Sequence, residues 1–140
     1  MKVCISGTRD DEELAGLAAD YVRHLPITDC VVTGGSGRVD QLAEIAAHTR
    51  GVDCVVFNAG WTAHGSAAGP IRNARMAEYA DRLVAFWKGT SPGTGNCIQE
   101  FKKRGKPVMI IHAAHQAANW RTLTDAEATE SRQPGREAGR

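Results

Sequence analysis

Apolar positions along the chain switch repeatedly between short continuous runs and helical spacing. Val3, Cys4 and Ile5 make one run, and behind it Leu14, Leu17, Ala18, Tyr21, Val22 and Leu25 recur every three or four residues. The switch predicts a strand over Lys2 to Ser6, a Gly7-Thr8-Arg9 turn, and a helix opened by the capping-box pair Asp10 and Glu13. Asp29 to Thr33 repeats the unit, with Gly34-Gly35-Ser36-Gly37-Arg38 as the turn and Val39, Leu42, Ala43 and Ala46 on one helical face. A third strand falls at Val52 to Phe57. Asn58 to Gly69 then reads as a loop of small residues carrying Trp61 and His64, long enough to suspect function. Pro70 fits the first position of the next helix. Leu83 to Trp87 reads as a central strand buried on both faces, Gly93-Thr94-Gly95 as a turn before a helix through Ile98, Phe101 and Lys102, and Pro107 to Ile111 as the fifth strand. Strands alternating with helices predict an α/β fold: a parallel five-stranded sheet with helices on both faces, in three layers.

Composition narrows this picture. A chain of 140 residues with 42% hydrophobic content makes one domain with a real core. The apolar content falls after His112, so residues 1–112 are expected to form the domain and 113–140 a low-complexity, flexible C-terminal tail, most clearly from Thr122 onward. A net charge of +1 with interspersed signs offers no basic field, which disfavours nucleic acid as a partner. No leader pattern opens the sequence and no apolar stretch nears the roughly 20 residues that cross a bilayer, so a cytoplasmic protein without membrane contact is expected. Of the four cysteines, Cys4, Cys30 and Cys54 fall in or beside strands as small apolar residues. Cys97 is expected in the first turn of a helix, where a thiol is more easily ionised, yet no histidine partner can be named for it.

The glycine turns carry the candidate chemistry. In an open parallel sheet, ligands bind beyond the carboxyl ends of the strands. The turns Gly7-Thr8-Arg9, Gly34-Gly35-Ser36-Gly37 and Gly89 to Gly95 would all lie on that rim. Glycine lets backbone amides approach a phosphate closely, and helix N-termini add unpaired N–H groups. Any one of these glycines has an ordinary reading as a tight connection; three on one rim exceed what a fold requires. None is a Walker loop or a Gly-x-Gly-x-x-Gly fingerprint, which disfavours triphosphate hydrolysis and hydride transfer. Arg72 and Asn73, in the first turn after Pro70, would reach the same rim, where a guanidinium can hold phosphate bidentately. Arg75 and Arg82 read as solvated surface residues. Trp87 ends a strand at the rim and offers a stacking face for a base; Trp61 and His64 are weaker candidates of the same kind.

The order and spacing of several motifs resemble the SLOG superfamily over residues 2 to about 111, in particular its small YspA/YpsA-like branch. They are Gly7-Thr8-Arg9, Gly34-Gly35 leading to Asp40 and Ala43, Gly69-Pro70-x-Arg72-Asn73-x-x-Met76, Trp87-x-Gly89-x-Ser91-x-Gly93-Thr94 and Gly105-x-Pro107. The resemblance implies a Rossmann-like domain and a homo-oligomer. The superfamily includes LOG phosphoribohydrolases, the DNA-processing protein DprA and nucleotide-signal sensors. In the LOG pattern an arginine and the glutamate of Gly-Thr-x-x-Glu are linked to cleavage of an N-glycosidic bond. Arg72 matches the first, but Cys97 stands in the glutamate's place, and Glu100 would have to act from about 4.5 Å further along the helix at 1.5 Å per residue. The resemblance therefore implies binding of a nucleotide or ADP-ribose-like small molecule through Gly7, Thr8, Arg9, Gly34, Gly35, Ser36, Asp40, Arg72, Asn73, Trp87, Ser91, Gly93 and Thr94. The alternative is a LOG-like nucleoside 5'-monophosphate phosphoribohydrolase with Arg72 and Glu100 as catalytic residues. No metal-ligand spacing occurs, so no metal cofactor is expected; magnesium would enter only in company with a phosphorylated ligand.

Overall fold

The computed structural model describes residues 1–121, apart from the side chains of Trp61 and Thr62. The tail expected over 122–140 and any stacking role of Trp61 lie outside the described residues. The elements in chain order are β1 (Lys2–Gly7), α1 (Glu12–Arg23), β2 (Cys30–Thr33), α2 (Gly37–Arg50), β3 (Asp53–Val56), α3 (Trp61–His64), α4 (Ala68–Tyr79), β4 (Arg82–Phe86), α5 (Pro92–Lys103) and β5 (Val108–Ile111), with 3-10 turns at Gly65–Ala67 and Ala114–Ala117. The strands form one sheet in the order β3-β2-β1-β4-β5, every pair parallel. This is the expected α/β, Rossmann-like architecture.

The apolar runs divide by strand periodicity. Val3, Ile5, Val84 and Phe86 point to the face covered by α1 and α2, where Leu14, Val22, Val39 and Ala43 meet them. Cys4, Leu83 and Ala85 point to the opposite face, against Met76 and Ala77 of α4 and Ile98 and Phe101 of α5. All five residues of β4 are buried, as its reading as an interior strand requires. Each large apolar side chain so buried contributes roughly 1.5–3 kcal/mol. Gly7 ends β1 where a Cβ would meet the Phe86 carbonyl and Val39 within 2.8 Å, so only glycine lets α2 sit this close to the strand end.

Three boundaries depart from expectation. Asp11, rather than Asp10, caps α1, its carboxylate accepting from the Leu14 N–H at 2.9 Å. Much of the expected loop over 58–69 is helical: α3 and a 3-10 turn lead directly into α4, which starts two residues before Pro70. Proline in the first turn of a helix is harmless because the N–H it lacks would have had no partner. Likewise α5 starts at Pro92, so Gly93, Thr94 and Gly95 form its first turn and do not precede it. Cys97 is thereby carried to the second turn, fully buried against Cys4 with no exposed thiol. Arg82 is not solvated either: it is buried, with its guanidinium over the Tyr21 ring.

Beyond β5 the described residues as far as Arg121 pack back onto α1. Trp120 is 5% exposed, its ring edge-on to Tyr21 at 5.3 Å, and its indole N–H donates to Asp20 at 2.8 Å. One large aromatic anchors a stretch whose average composition reads as tail. Trp120→Ala is accordingly expected to cost about 3 kcal/mol in a urea melt; a loss near zero would return 113–121 to the tail.

Candidate functional site

The chain leaves β1 toward β2 and leaves β4 toward β5, so the connections diverge at the carboxyl ends of these neighbouring strands. A divergence of this kind opens a crevice. It holds a cavity of about 490 Å³, lined by the end of β1 (Ser6, Gly7 and Arg9), the β2–α2 turn with Asp40 of α2, the first two turns of α4, and the start of α5 from Ser91 to Thr94 with Asn96.

Arg72 and Asn73 tie these elements together. The Arg72 guanidinium donates from Nη1 to the Gly34 carbonyl at 2.8 Å and from Nε to Asn73 Oδ1 at 2.9 Å. It lies flat on Gly34, where a Cβ would come within 2.5 Å of Nη1. Asn73, almost wholly buried, donates in turn to the Gly93 carbonyl at 3.2 Å and to Asn96 Oδ1 at 2.9 Å. The β2–α2 turn, α4 and α5 are thus joined by one polar chain. Arg9 completes the rim, donating to Ser36 Oγ at 2.7 Å.

Two helices present their N-termini here without a side-chain cap, α2 behind Ser36 and α5 behind Ser91, although in α2 the Arg38 N–H already donates to the Arg9 carbonyl at 2.8 Å. Unpaired N–H groups and the helix dipole favour an anion at such a place. At Gly93 a Cβ would meet no protein atom within 4 Å, so neighbouring side chains do not require glycine there. Its absence of a side chain keeps the α5 amides approachable from the cavity.

Asp40 has the opposite polarity. It is 5% exposed; Oδ2 accepts from the Ser36 N–H at 3.0 Å, while Oδ1 is buried without a hydrogen-bond partner among the described residues. Burial pushes its carboxyl from the ordinary 3.8 up to about 7, against the pull of the Ser36 amide and the Arg72 charge. Part of its role is the helix-start one that sequence suggests; the second oxygen is not explained by it.

The cavity brings together Gly7, Arg9, Gly34, Ser36, Asp40, Arg72, Asn73, Ser91, Gly93 and Thr94 of the expected site. It does not include Thr8, Gly35, Trp87 or Glu100. The Thr8 hydroxyl is buried without a hydrogen-bond partner among the described residues. Gly35 has turned to the outer side of its loop, beside Arg38 and Glu44. Trp87 lines a separate shallow depression with Lys88 and His112, its indole N–H bound to the Ser91 carbonyl at 3.0 Å. Glu100 does not line the cavity. The Arg104 guanidinium at 2.8 Å and the Lys103 ammonium at 3.2 Å hold its carboxyl below the usual range, and it faces away from the cavity. Ser6, Pro92 and Asn96 were not anticipated; Asn96 lies three residues after Gly93, the spacing that puts both on one side of a helix turn. Among the described residues no group of three or more His, Cys, Asp or Glu could hold a metal ion, and no helix is long and apolar enough to cross a membrane.

Comparison with known proteins decides the family. The chain is 32% identical over 117 residues to the Gene 61 protein of Mycobacterium phage D29, covering 77% of this chain and 94% of that protein. The chain belongs to that phage protein's family. No protein-family profile matches it. Among solved structures, DNA processing protein A (DprA) from Streptococcus pneumoniae superposes with a TM-score of 0.71 at 17% identity, over 81% of this chain and 50% of DprA. The chain therefore spans half the length of that protein. TM1055, a Northeast Structural Genomics Consortium target, superposes with a TM-score of 0.64 at 21% identity, over 76% of this chain and 71% of its own. Both likenesses concern the fold alone.

A buried carboxyl with a raised pKa favours folding while protonated; that stability is intact below about pH 4 and is lost as pH rises toward 7. Asp40→Asn, isosteric and uncharged, is expected to match the parent in a pH 4 melt and to exceed it at pH 8 by up to about 4 kcal/mol, from about three units at 1.36 kcal/mol each. An advantage independent of pH would contradict the assignment.

Proposed function

We propose that the chain binds a nucleotide or an ADP-ribose-like ligand at the carboxyl ends of β1, β2 and β4, as a sensing, sequestering or processing module of the SLOG type. The observation that carries this reading is the shared cavity: the uncapped start of α5, the Gly34 turn and the Arg72 guanidinium border the same space. Of the Arg72 nitrogens, Nη2 makes no hydrogen bond to a described residue, which leaves a charged donor for phosphate. Gly93 and Thr94 supply backbone amides and Arg9 a second positive charge at the rim. A cavity of about 490 Å³ is within the range that holds small-molecule ligands. We place the chain in the YspA/YpsA-like branch and as a homo-oligomer on the resemblance alone.

The phosphoribohydrolase alternative needs an accessible carboxylate at the glycosidic bond; Glu100 is committed to Arg104 and Lys103 and does not line the cavity, and Asp40, which does, is almost wholly buried with Oδ2 held by the Ser36 N–H. Binding without turnover is therefore the better reading.

Arg72→Ala is expected to weaken binding of adenosine 5'-monophosphate or ADP-ribose by at least tenfold in calorimetry, the worth of a hydrogen bond to a charged group; unchanged affinity would remove Arg72 from the site. Prolonged incubation with adenosine 5'-monophosphate is expected to return the nucleotide intact, and release of free adenine would install the hydrolase reading instead.

A further inference from the structure

The hydrogen bonds around the cavity share one sense: they consume acceptors and leave donors. Arg72 Nε donates to Asn73 Oδ1, which fixes the orientation of that amide, and Asn73 Nδ2 then donates to the Gly93 carbonyl and to Asn96 Oδ1. The Asn96 NH2 is therefore the free end of the chain. Arg72 Nη1 takes the Gly34 carbonyl, and Arg9 Nη1 takes Ser36 Oγ. Arg72 Nη2, Asn96 Nδ2 and the Gly93 and Thr94 amides are left with no acceptor among the described residues. The side-chain donors are also open. Among the described residues the polar side-chain atoms buried without a partner are Thr8 Oγ1 and Asp40 Oδ1, so Arg72 Nη2 and Asn96 Nδ2 keep their contact with solvent, in residues that line the cavity.

The charges are unanswered as well. Arg38, Arg104 and Arg121 each pair with a carboxylate, whereas Arg9 and Arg72 are held by neutral oxygens and pair with no carboxylate among the described residues. A guanidinium positioned in this way keeps its charge for a third group. One acid, Asp40, lines the cavity against these two guanidiniums, and burial keeps it partly protonated near neutral pH, so it offsets less than one of them. The two charges are also neighbours. Their anchors, Gly34 and Ser36, lie two residues apart on one turn, a separation of about 7 Å at full extension.

We infer that the cavity takes a ligand with two linked phosphates, a nucleoside diphosphate or a sugar ester of one, in preference to a monophosphate. Arg72, Asn96 and the start of α5 hold one phosphate, and Arg9 beside Ser36 holds the other. The inference rests on the nucleotide-binding reading above and adds the number of phosphates and the residue that reads the second. An ionised pyrophosphate presents acceptors only, which matches an array of donors. A single phosphate held at Arg72 and α5 leaves the Arg9 charge without an anion, and neither a sugar nor a base would answer it. Charges anchored on one turn address adjoining phosphates, not anions at the two ends of a long molecule.

The test is calorimetry on the full chain at pH 7.5 with adenosine 5'-monophosphate and adenosine 5'-diphosphate, for the parent, Arg9→Gln and Arg75→Gln. Arg9 and Arg75 are both exposed, and Arg75 does not line the cavity, so the second variant removes the same charge from elsewhere on the surface. The parent is expected to bind the diphosphate about tenfold or more tightly than the monophosphate, the worth of a hydrogen bond to a charged group. That ratio is expected to fall toward one in Arg9→Gln, with the melting transition retained, and to stay at the parent's value in Arg75→Gln. Equal affinities in the parent would overturn the inference and leave nucleotide binding standing. A preference preserved in Arg9→Gln would overturn it by assigning the second phosphate to another group, and an equal loss in both variants would reduce it to long-range charge. Binding of neither nucleotide nor of ADP-ribose would overturn the nucleotide reading and the inference with it.

Discussion

The site depends on a single guanidinium. Arg72 lies against the bare Cα of Gly34, donates to its carbonyl, and passes the link through Asn73 to the start of α5. The two halves of the sheet diverge here by topology, since β1 and β4 send their chains in opposite directions. Without a crosslink, the β2–α2 turn and α5 would be held to one another only through the sheet beneath them. A glycine at 34 is what allows the contact: any side chain would occupy the plane where the guanidinium rests. Position 34 is therefore fixed by a neighbouring side chain, unlike Gly93, whose Cβ would meet no protein atom.

From that tie follows the polarity of the cavity. Arg72 and the start of α5 bring charge and amides to one side, Arg9 adds a charge beside Ser36 at the other, and there an acid with one unanswered oxygen sits on α2. The protein tolerates the acid because Oδ2 completes the start of α2 and because Arg72 offsets part of its charge. Burial still wins over both, which is why the carboxyl is poised near neutrality.

Much of this was legible in the sequence because it follows from periodicity and glycine placement. The five strands, their parallel arrangement and the two covered faces come from apolar runs alternating with helical spacing. The convergence of the Gly7, Gly34 and Gly93 regions with Arg72 follows once the strands are parallel. What escaped the sequence depends on packing. Glu100 and Cys97 lie on helix α5, and which side of that helix meets the cavity depends on where it starts; the start at Pro92 turns Glu100 to Arg104 and Cys97 to Cys4. Trp87 was placed at the right strand end, but its indole is consumed by the Ser91 carbonyl. Trp120 shows the limit of composition as a guide, since one well-placed ring outweighs a polar neighbourhood. The unsatisfied Asp40 oxygen was not visible at all, because a sequence does not say which acceptors remain unpaired after folding.

The central claim is that one cavity, framed by the Gly34 turn and the start of α5, takes up a phosphorylated ligand. Its most direct measurement is the amide NMR spectrum of the isotope-labelled chain during titration with ADP-ribose. The account predicts saturable shifts concentrated together at Gly34, Ser36, Gly93 and Thr94. Shifts confined to the depression around Trp87 and His112, or none at any concentration, would contradict it.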